Sequence, residues 1–231
     1  MTYPKLSILI VAYNEEGTIN KVINGVRAIF PAAQIIVVDD GSQDSTFYKA
    51  NLCKDNLMKI YSVPHRGKGY AIKKAIQESS GIIMAQIDSD LQFLPEELPI
   101  LIKPILDDKT DIVLGSRYLL PSNIEKNSVS LIKRLGSYSI AKIISIIHQE
   151  YYTDIFSGFK AWKADAIRDI NIQENGFAYE IEIVLKAKRK GYRIKEVPVS
   201  YRRRRAGKTK LNFMYGITII AFRVIKLLIF K

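Results

Sequence analysis

A largely apolar run that ends in two carboxylates constrains the fold of this chain more than any other segment. Residues 82–87 read IIMAQI, and Asp88, Asp90 and Gln92 follow in alternation. Such a run is typical of a parallel strand that is covered on both faces. In open α/β sheets, ligands bind just beyond the carboxyl ends of the strands. Hard oxygen ligands clustered there suit Mg²⁺ or Mn²⁺, although a solvated turn after the strand is the alternative.

Three other strand-like runs also end in polar side chains. They are Leu6–Ala12 before Tyr13-Asn14-Glu15-Glu16, Gln34–Asp40 before Gly41-Ser42, and Asp111–Leu114 before Gly115-Ser116-Arg117. Asn14, Asp44 and Ser45 are candidate N-caps for the helices that follow these strands. Each ending is explained about equally well by the turn or helix start that a strand needs. Four polar endings in one sheet, however, indicate a ligand site.

Strand and helix patterns alternate along the first half of the chain. Helical patterns cover Glu15–Phe30, Asp44–Lys54, Lys68–Ser79 and Pro95–Leu106, and strand-like runs such as Met58–Val63 lie between them. This alternation predicts an α/β fold with a mostly parallel sheet and flanking helices. Further helices are predicted at Leu131–His148 and Tyr179–Lys190, a short segment lies around Phe156–Lys163, and a strand is predicted near Tyr192–Tyr201.

Length and cysteine content limit the class of protein. At 231 residues the chain can form one domain with a large core. The lone Cys53 excludes an internal disulfide framework and fits a reducing compartment. Residues 1–5 lead directly into the first predicted strand, so no signal peptide is expected.

Positive charge is concentrated at the C-terminal end of the chain. Residues 186–231 contain 15 Lys or Arg and one acidic residue, whereas the preceding 185 residues contain 20 basic and 22 acidic side chains. This asymmetry indicates an anionic partner such as a membrane surface, a nucleic acid or a phosphate-rich substrate. Nucleic acid is the weakest of these, because aromatic residues are sparse around Arg202–Arg205 and the clustered aspartates would repel a polyanion.

The last 20 or so residues are apolar but carry two cations. The longest uncharged run, Leu211–Phe222, has 12 residues, whereas a membrane-spanning helix needs ~20. Arg223 and Lys226 share one helix face, which suits an amphipathic helix in the membrane interface. The alternative is a helix docked on the protein's own core. We therefore expect a globular domain at residues 1–210 and an amphipathic helix at 211–231.

Six motifs occur in an order that resembles a known family. They are VAYNEE (11–16), VVDDGSQDST (37–46), DSDLQ (88–92), GSRY (115–118), DIFSGFKAW (154–162) and RAGKTKL (205–211). Together they resemble the inverting glycosyltransferases of family 2, which have the Rossmann-like GT-A fold. More narrowly, they resemble the polyprenyl-phosphate sugar synthases, including the dolichyl-phosphate mannosyltransferases. The resemblance covers residues 5 to about 211.

The resemblance implies a role for each matching residue. Ala12, Tyr13, Glu15 and Asp40 (or its neighbour Asp39) would line the nucleotide pocket, and Lys68 would approach the nucleotide or its phosphates. Asp88, Asp90 and Gln92 would hold Mg²⁺ or Mn²⁺. Arg117, Arg134 and Ser137 would bind the acceptor phosphate, and Arg204, Lys208 and Lys210 would lie on a loop that closes over the donor phosphates.

The implied reaction is transfer of a hexose to a polyprenyl or dolichyl phosphate at the cytoplasmic face of the membrane. The resemblance favours mannose from GDP-mannose over glucose from UDP-glucose, and it allows a small membrane protein as partner. Transfer to a sugar hydroxyl, with Asp154 as the base, is the alternative. For a phosphate acceptor, Asp154 would instead position Arg134 or the loop. His65 and His148 lie in no motif that suggests catalysis.

Overall fold

The computed structural model describes residues 5–205, which form a seven-stranded sheet. The strands are β1 (Leu6–Ala12), β2 (Gln34–Asp39), β3 (Met58–Ser62), β4 (Ile83–Asp88), β5 (Ile112–Ser116), β6 (Lys160–Lys163) and β7 (Ile194–Pro198). Their order across the sheet is β3-β2-β1-β4-β6-β5-β7. β6 is antiparallel to both of its neighbours, and the other pairs are parallel. The predicted mostly parallel α/β sheet is therefore confirmed.

Helices cover both faces of the sheet. They are α1 (Ile19–Ile29), α2 (Thr46–Leu52), α3 (Lys68–Glu78), α4 (Leu98–Leu106), α5 (Leu131–His148), α6 (Ala164–Ile170) and α7 (Tyr179–Arg189), with a 3-10 turn at Pro95–Glu97 before α4. The expected residues Lys208 and Lys210 and the expected helix at 211–231 lie outside the described residues.

The core consists of two apolar layers, one on each side of the sheet. Successive residues of a strand face opposite sides, so Ile8 and Ile10 belong to one layer while Leu9 and Val11 belong to the other. α1 and α4 pack on the first layer, and α3 and α7 pack on the second. Because both faces of β1 are covered, its seven residues are all buried and its sequence is almost continuously apolar.

Strand register brings the polar strand ends together. Val11 pairs with Val38 on one side and with Asp88 on the other, and Ala12 pairs with Asp39. The carboxyl ends of β1, β2 and β4 therefore lie at the same edge of the sheet. The expectation of a shared polar edge is confirmed.

The start of α1 differs from the prediction. The helix begins at Ile19 rather than Glu15, and Asn14 adopts a positive φ of 52° instead of capping it. Asn14 N donates to Ser42 Oγ, and Asn14 Oδ1 accepts from Gln43 N. These bonds tie the segment after β1 to the loop after β2, which prevents an earlier helix start. At the start of α2 the N-cap position is Ser45, whose side chain makes no capping bond, while Asp44, one residue earlier, accepts a hydrogen bond from Thr46 N.

Two elements of the second half were not resolved by sequence periodicity. Residues 160–163 form an antiparallel strand between β4 and β5, and Ala164–Ile170 form a short helix directly after it.

None of the helices within residues 5–205 is both long and apolar enough to cross a lipid bilayer.

Trp162 provides a test of how β6 is held in the sheet. It pairs with Met84 on β4 and Ile112 on β5 and is fully buried, while its indole Nε1 has no hydrogen-bond partner within residues 5–205. We expect Trp162→Ala to lower the free energy of unfolding by about 3–5 kcal/mol, because it leaves a large cavity. Trp162→Phe should cost much less, since it keeps most of the volume. Urea unfolding followed by circular dichroism measures both, and equal losses would contradict this packing.

Candidate active site

A cleft of about 750 Å³ lies at the carboxyl edge of the sheet. It is lined by many of the residues that the sequence singled out: Tyr13, Glu15, Asp40, Lys68, Asp88, Asp90, Gln92, Arg117, Ser137 and Arg204. Ala12 is instead buried in the apolar layer below, and its neighbour Val11 reaches the wall. The cleft runs from the ends of β1, β2 and β4 to α5, so it has two distinguishable ends.

Asp40 organises the loop before α3. One of its carboxylate oxygens lies 3.0 Å from Arg66 N, the other lies 3.1 Å from Gly67 N, and His65 Nδ1 is 2.8 Å away. The His65 ring stacks on Tyr13 with centroids 4.1 Å apart. Asp40 therefore holds His65 in its stack with Tyr13, next to the ends of β1 and β2.

The adjacent carboxylate, Asp39, is placed differently. It is 2 % exposed, and its Oδ1 has no hydrogen-bond partner among the described residues. Its Oδ2 accepts from Ser42 N at 3.2 Å and from Ser62 Oγ at 3.3 Å. Of the two aspartates that the sequence offered for nucleotide contacts, Asp39 thus keeps an unpaired oxygen, whereas Asp40 uses both.

Asp88 lies against the half-buried Lys68. Lys68 Nζ is 2.9 Å from Asp88 Oδ1 and 3.2 Å from Glu180 Oε1. Burial raises the pKa of Asp88, and the nearby Asp90 raises it further, while Lys68 acts in the opposite direction. Burial alone would lower the pKa of Lys68, but Asp88 and Glu180 raise it well above its ordinary value. Lys68 is therefore held as a cation in the floor of the cleft.

Gly158 leaves the space that Asp88 occupies. A Cβ atom at position 158 would collide with Asp88 Oδ2. The loop between α5 and β6 can approach β4 this closely only because residue 158 has no side chain.

Arg204 joins two carboxylates that come from different strands. Its Nη2 lies 2.6 Å from Asp90 Oδ2, and its Nη1 also contacts Glu15. The other oxygen of Asp90 accepts from Gln92 N at 3.1 Å, and Gln92 Nε2 donates to Arg202 O at 3.0 Å. Burial lowers the pKa of Arg204, but Asp90 and Glu15 raise it more. Electrostatic attraction thus holds Arg204, and with it the arginine-rich segment after β7, next to these carboxylates.

The oxygen atoms of Asp88 and Asp90 fit a divalent cation that takes most of its ligands from a bound diphosphate. Within residues 5–205 no three His, Cys, Asp or Glu side chains are grouped as a complete metal site. Asp88 and Asp90 still bring hard oxygen atoms to the cleft, and Asp88 Oδ1 is buried without an oriented hydrogen bond in the described part of the chain. Mg²⁺ is commonly held by one or two carboxylates together with substrate phosphates.

Arg117 and Asp154 form a bidentate ion pair at the other end of the cleft. Arg117 Nε and Nη2 lie 2.6 and 2.8 Å from the two carboxylate oxygens of Asp154, and Arg117 N donates to Asp154 as well. Asp154 is fully buried and Arg117 lines the cleft. The Arg117 guanidinium also lies 5.3 Å from the Tyr118 ring and 5.0 Å from the Tyr201 ring. Asp154, Tyr118 and Tyr201 therefore fix the position of the Arg117 guanidinium.

One face of helix α5 lines the cleft. The residues Lys133, Gly136, Ser137 and Ile140 line it, and their spacing places them on one helix face. Ser137 is 8 % exposed, and its Oγ has no hydrogen-bond partner among residues 5–205. Burial and the nearby Arg204 lower the pKa of Lys133, which indicates crowding of positive charge.

Sequence reasoning did not single out Lys133. It favoured the next residue, Arg134, which is exposed and whose guanidinium lies 5.6 Å from the Tyr118 ring. Spacing did not separate the two, because Lys133 and Arg134 lie four and three residues before Ser137 and both spacings share a helix face.

Comparison with known proteins agrees with this architecture. Residues 7–162 match the family described as Glycosyl transferase family 2. The dolichol-phosphate mannosyltransferase of Pyrococcus furiosus is 30% identical over 218 residues, which are 90% of this chain and 59% of that protein. The dolichyl-phosphate hexose transferase of Haloferax volcanii is 26% identical over 97% of this chain and 94% of its own length.

Solved structures show the same fold. Glucosyl-3-phosphoglycerate synthase from Mycobacterium tuberculosis, in complex with Mn²⁺, uridine-diphosphate and phosphoglyceric acid, superposes with a TM-score of 0.74 at 21% identity. The match covers 97% of this chain and 77% of that one, so the fold is GT-A. The chain belongs to glycosyl transferase family 2.

Proposed function

We propose that this glycosyltransferase moves a hexose from a nucleotide diphosphate donor to a polyprenyl or dolichyl phosphate. The observation that carries this assignment is the distribution of charge in the cleft. Lys68, Arg204 and the Asp88–Asp90 pair line the cleft beside the ends of β1 and β4, Arg117 follows β5, and Lys133 and Ser137 lie on α5. Lys133 is near enough to Arg204 for their charges to interact. Cations from several elements that line one cleft suit two phosphate-bearing substrates that must meet despite their like charge.

The relatives support the acceptor class. The Pyrococcus and Haloferax proteins are named for transfer to dolichol phosphate, one for mannose and the other for a hexose. For this chain we favour mannose from GDP-mannose, with glucose from UDP-glucose as the alternative donor. Tyr13, Glu15, Asp39 and the loop held by Asp40 would surround the nucleotide, because they line or flank the end of the cleft next to β1 and β2.

A phosphate acceptor needs no protein base. The second pKa of a phosphate monoester is about 6, so the acceptor is largely dianionic at neutral pH. The carboxylates on the cleft wall are already engaged: Glu15 and Asp90 by Arg204, Asp88 and Glu180 by Lys68, and Asp40 by backbone amides. The acceptor oxygen can attack directly once Arg117, Lys133 and Ser137 hold the phosphate.

Asp154 acts as a positioning residue in this mechanism. Both of its oxygens are bonded to Arg117, and it is fully buried behind that side chain. A hydroxyl acceptor in the cleft could not reach it without breaking the ion pair. This geometry favours the phosphate acceptor over a sugar hydroxyl.

Charge on the leaving nucleoside diphosphate is stabilised at the other end of the cleft. Arg204 and Lys68 supply fixed positive charge there, where it acts on the developing anion in a partly dehydrated site. When bound by Asp90 and Asp88, with Gln92 beside them, Mg²⁺ or Mn²⁺ would neutralise the diphosphate further. Lys210, which the family resemblance assigns to the same loop as Arg204, lies outside the described residues and remains part of the proposal.

The outer face of α5 is proposed to rest on the membrane at its cytoplasmic side. Large apolar side chains are exposed there: Leu131, Ile132, Leu135, Tyr138, Ile143, Ile146 and Ile147. Arg134 and Lys142 are exposed on the same helix and suit anionic headgroups. A lipid acceptor could then place its phosphate in the cleft while its chain stays in the bilayer. The lone cysteine fits a reducing compartment.

The transfer assay tests the proposed reaction. Radiolabelled GDP-mannose and UDP-glucose are incubated side by side with polyprenyl phosphate, with and without Mn²⁺. We expect metal-dependent label in the lipid fraction, greater with GDP-mannose. Asp90→Ala should reduce transfer by roughly 10²-fold or more, because charge stabilisation of the leaving group is lost. Donor hydrolysis without any labelled lipid would contradict the acceptor assignment.

Asp154→Asn separates positioning from base catalysis. We expect the KM for the lipid phosphate to rise by about tenfold, since the variant weakens the hold on Arg117 by roughly 1.4 kcal/mol. Turnover at saturating acceptor should remain within a few-fold of wild type. The thermal unfolding midpoint serves as the control for folding. Loss of turnover with an unchanged acceptor KM would instead identify Asp154 as a base.

Sedimentation with anionic vesicles tests the membrane face. Replacing both Leu131 and Ile146 by Glu should reduce the bound fraction at least about fivefold, because two exposed apolar side chains no longer enter the interface. Leu52→Glu is the matched control, since Leu52 is 67% exposed on α2. Equal binding of the double variant and wild type would exclude α5 from the membrane contact.

A further inference from the structure

A short loop between α5 and β6 connects the two ends of the cleft. Within this connection, residues 149–159, the Asp154 carboxylate holds Arg117. Farther along, Gly158 lies against the carboxylate of Asp88. A shift of this loop would therefore move groups at both ends at once.

Lys160 fastens the middle of that loop from below. It is fully buried on β6, and its ammonium group donates to Ile155 O at 3.2 Å and to Ser157 O. It also forms an ion pair with Glu180 on α7. Burial lowers the pKa of Lys160, and the carboxylate of Glu180 acts against that effect. The three contacts saturate the donors of the ammonium group.

Glu180 extends the connection to the donor end. Its Oε1 lies 3.2 Å from Lys68 Nζ, which in turn lies 2.9 Å from Asp88 Oδ1. A continuous line of charged side chains, of which Glu180 and Lys160 are buried and Asp88 and Lys68 are partly exposed, thus runs from Asp88 to Lys160 and the loop.

A second carboxylate fixes the start of the loop from the other side. Glu196 on β7 accepts from Thr153 N at 2.8 Å and from Asp154 N at 2.7 Å. The backbone at residues 153–157 is therefore held by its amides at one end and by its carbonyls at the other. Only Lys160, among these anchors within the described chain, also bonds to the network at the donor end.

We propose that Lys160 is a positioning residue that sets the geometry of both phosphate sites together, an assignment that rests on the transfer reaction proposed above. Removing its ammonium group leaves two loop carbonyls without their donor and releases Glu180 from one of its two cations. Residues 155–157 then lose the anchor beneath them, which frees both Asp154, the residue that holds Arg117, and Gly158, the residue against Asp88, to shift. Lys160 itself touches neither substrate.

Binding measurements on Lys160→Met test this coupling without requiring turnover. Isothermal titration gives the affinity for GDP or UDP, in the presence of Mn²⁺, and for farnesyl phosphate as the lipid-phosphate probe. We expect Lys160→Met to weaken both by about tenfold. Arg117→Gln, a change at one end, should weaken farnesyl phosphate alone. If Lys160→Met weakens only one ligand or neither, the coupling role is wrong.

Two further variants keep the test decisive. Lys163→Met is the matched control, because Lys163 lies on the same strand but pairs with Asp108 and Asp111 away from the loop; it should change neither affinity. If Lys160→Met fails to fold, the double variant Lys160→Met with Glu180→Gln removes the buried carboxylate that has lost one of its two cations, and it is compared with Glu180→Gln alone. A further loss of both affinities supports the coupling, and no further loss overturns it.

Failure of the proposed reaction would be recognised separately. A wild-type protein that binds nucleotide but neither binds farnesyl phosphate nor labels polyprenyl phosphate has a different acceptor. If the wild-type protein binds both ligands and Lys160→Met binds them with the same affinities, the proposed function stands and only the coupling role of Lys160 is wrong.

Discussion

Mutual repulsion among carboxylates at the carboxyl edge of the sheet is the constraint on which the rest of the cleft depends. The register of β1 and β4 brings Glu15, Asp88 and Asp90 to this edge. Like charges in a partly buried site are unfavourable unless cations lie between them. Lys68 compensates Asp88, and Arg204 bridges Asp90 and Glu15. Electrostatic attraction therefore holds Arg204, in the segment after β7, at the strand ends. This segment completes the wall of the cleft.

The same arrangement gives the cleft its proposed chemistry. Its carboxylates are engaged, whereas Arg117 and Lys133 face it as cations and Ser137 has no partner within the described residues. Such a site is prepared to receive anions, and the carboxylates that line it in the described part of the chain are not free to remove a proton. A lipid phosphate supplies its own negative oxygen, so transfer to it requires none of them as a base. Asp154 shows the difference, because its place in a family motif left open either a base for a hydroxyl acceptor or a residue that positions Arg134 or the loop, whereas its carboxylate is bonded to Arg117.

Much of the fold followed from sequence because both faces of the central strands are covered. Apolar runs at β1, β2 and β4 predicted buried parallel strands, and their polar endings predicted the site. The start of α1 could not be predicted, since side-chain bonds between Asn14 and the loop after β2 override its capping preference. β6 has four residues, including a buried Lys160, and no alternation marked it as a strand. The choice of Lys133 over Arg134 depends on the rotation of α5 relative to the sheet, which packing alone determines.

The proposed reaction differs from transfer to a hydroxyl in that a phosphate oxygen is the attacking group. The most direct measurement compares polyprenyl phosphate with the polyprenol of the same chain length, using one labelled nucleotide sugar and saturating Mn²⁺. Labelled product is expected from the phosphate and none from the alcohol, because a hydroxyl would require a base and the described carboxylates of the cleft wall are engaged by cations or backbone amides. Comparable labelling of the alcohol would contradict it and would return Asp154 to consideration as that base.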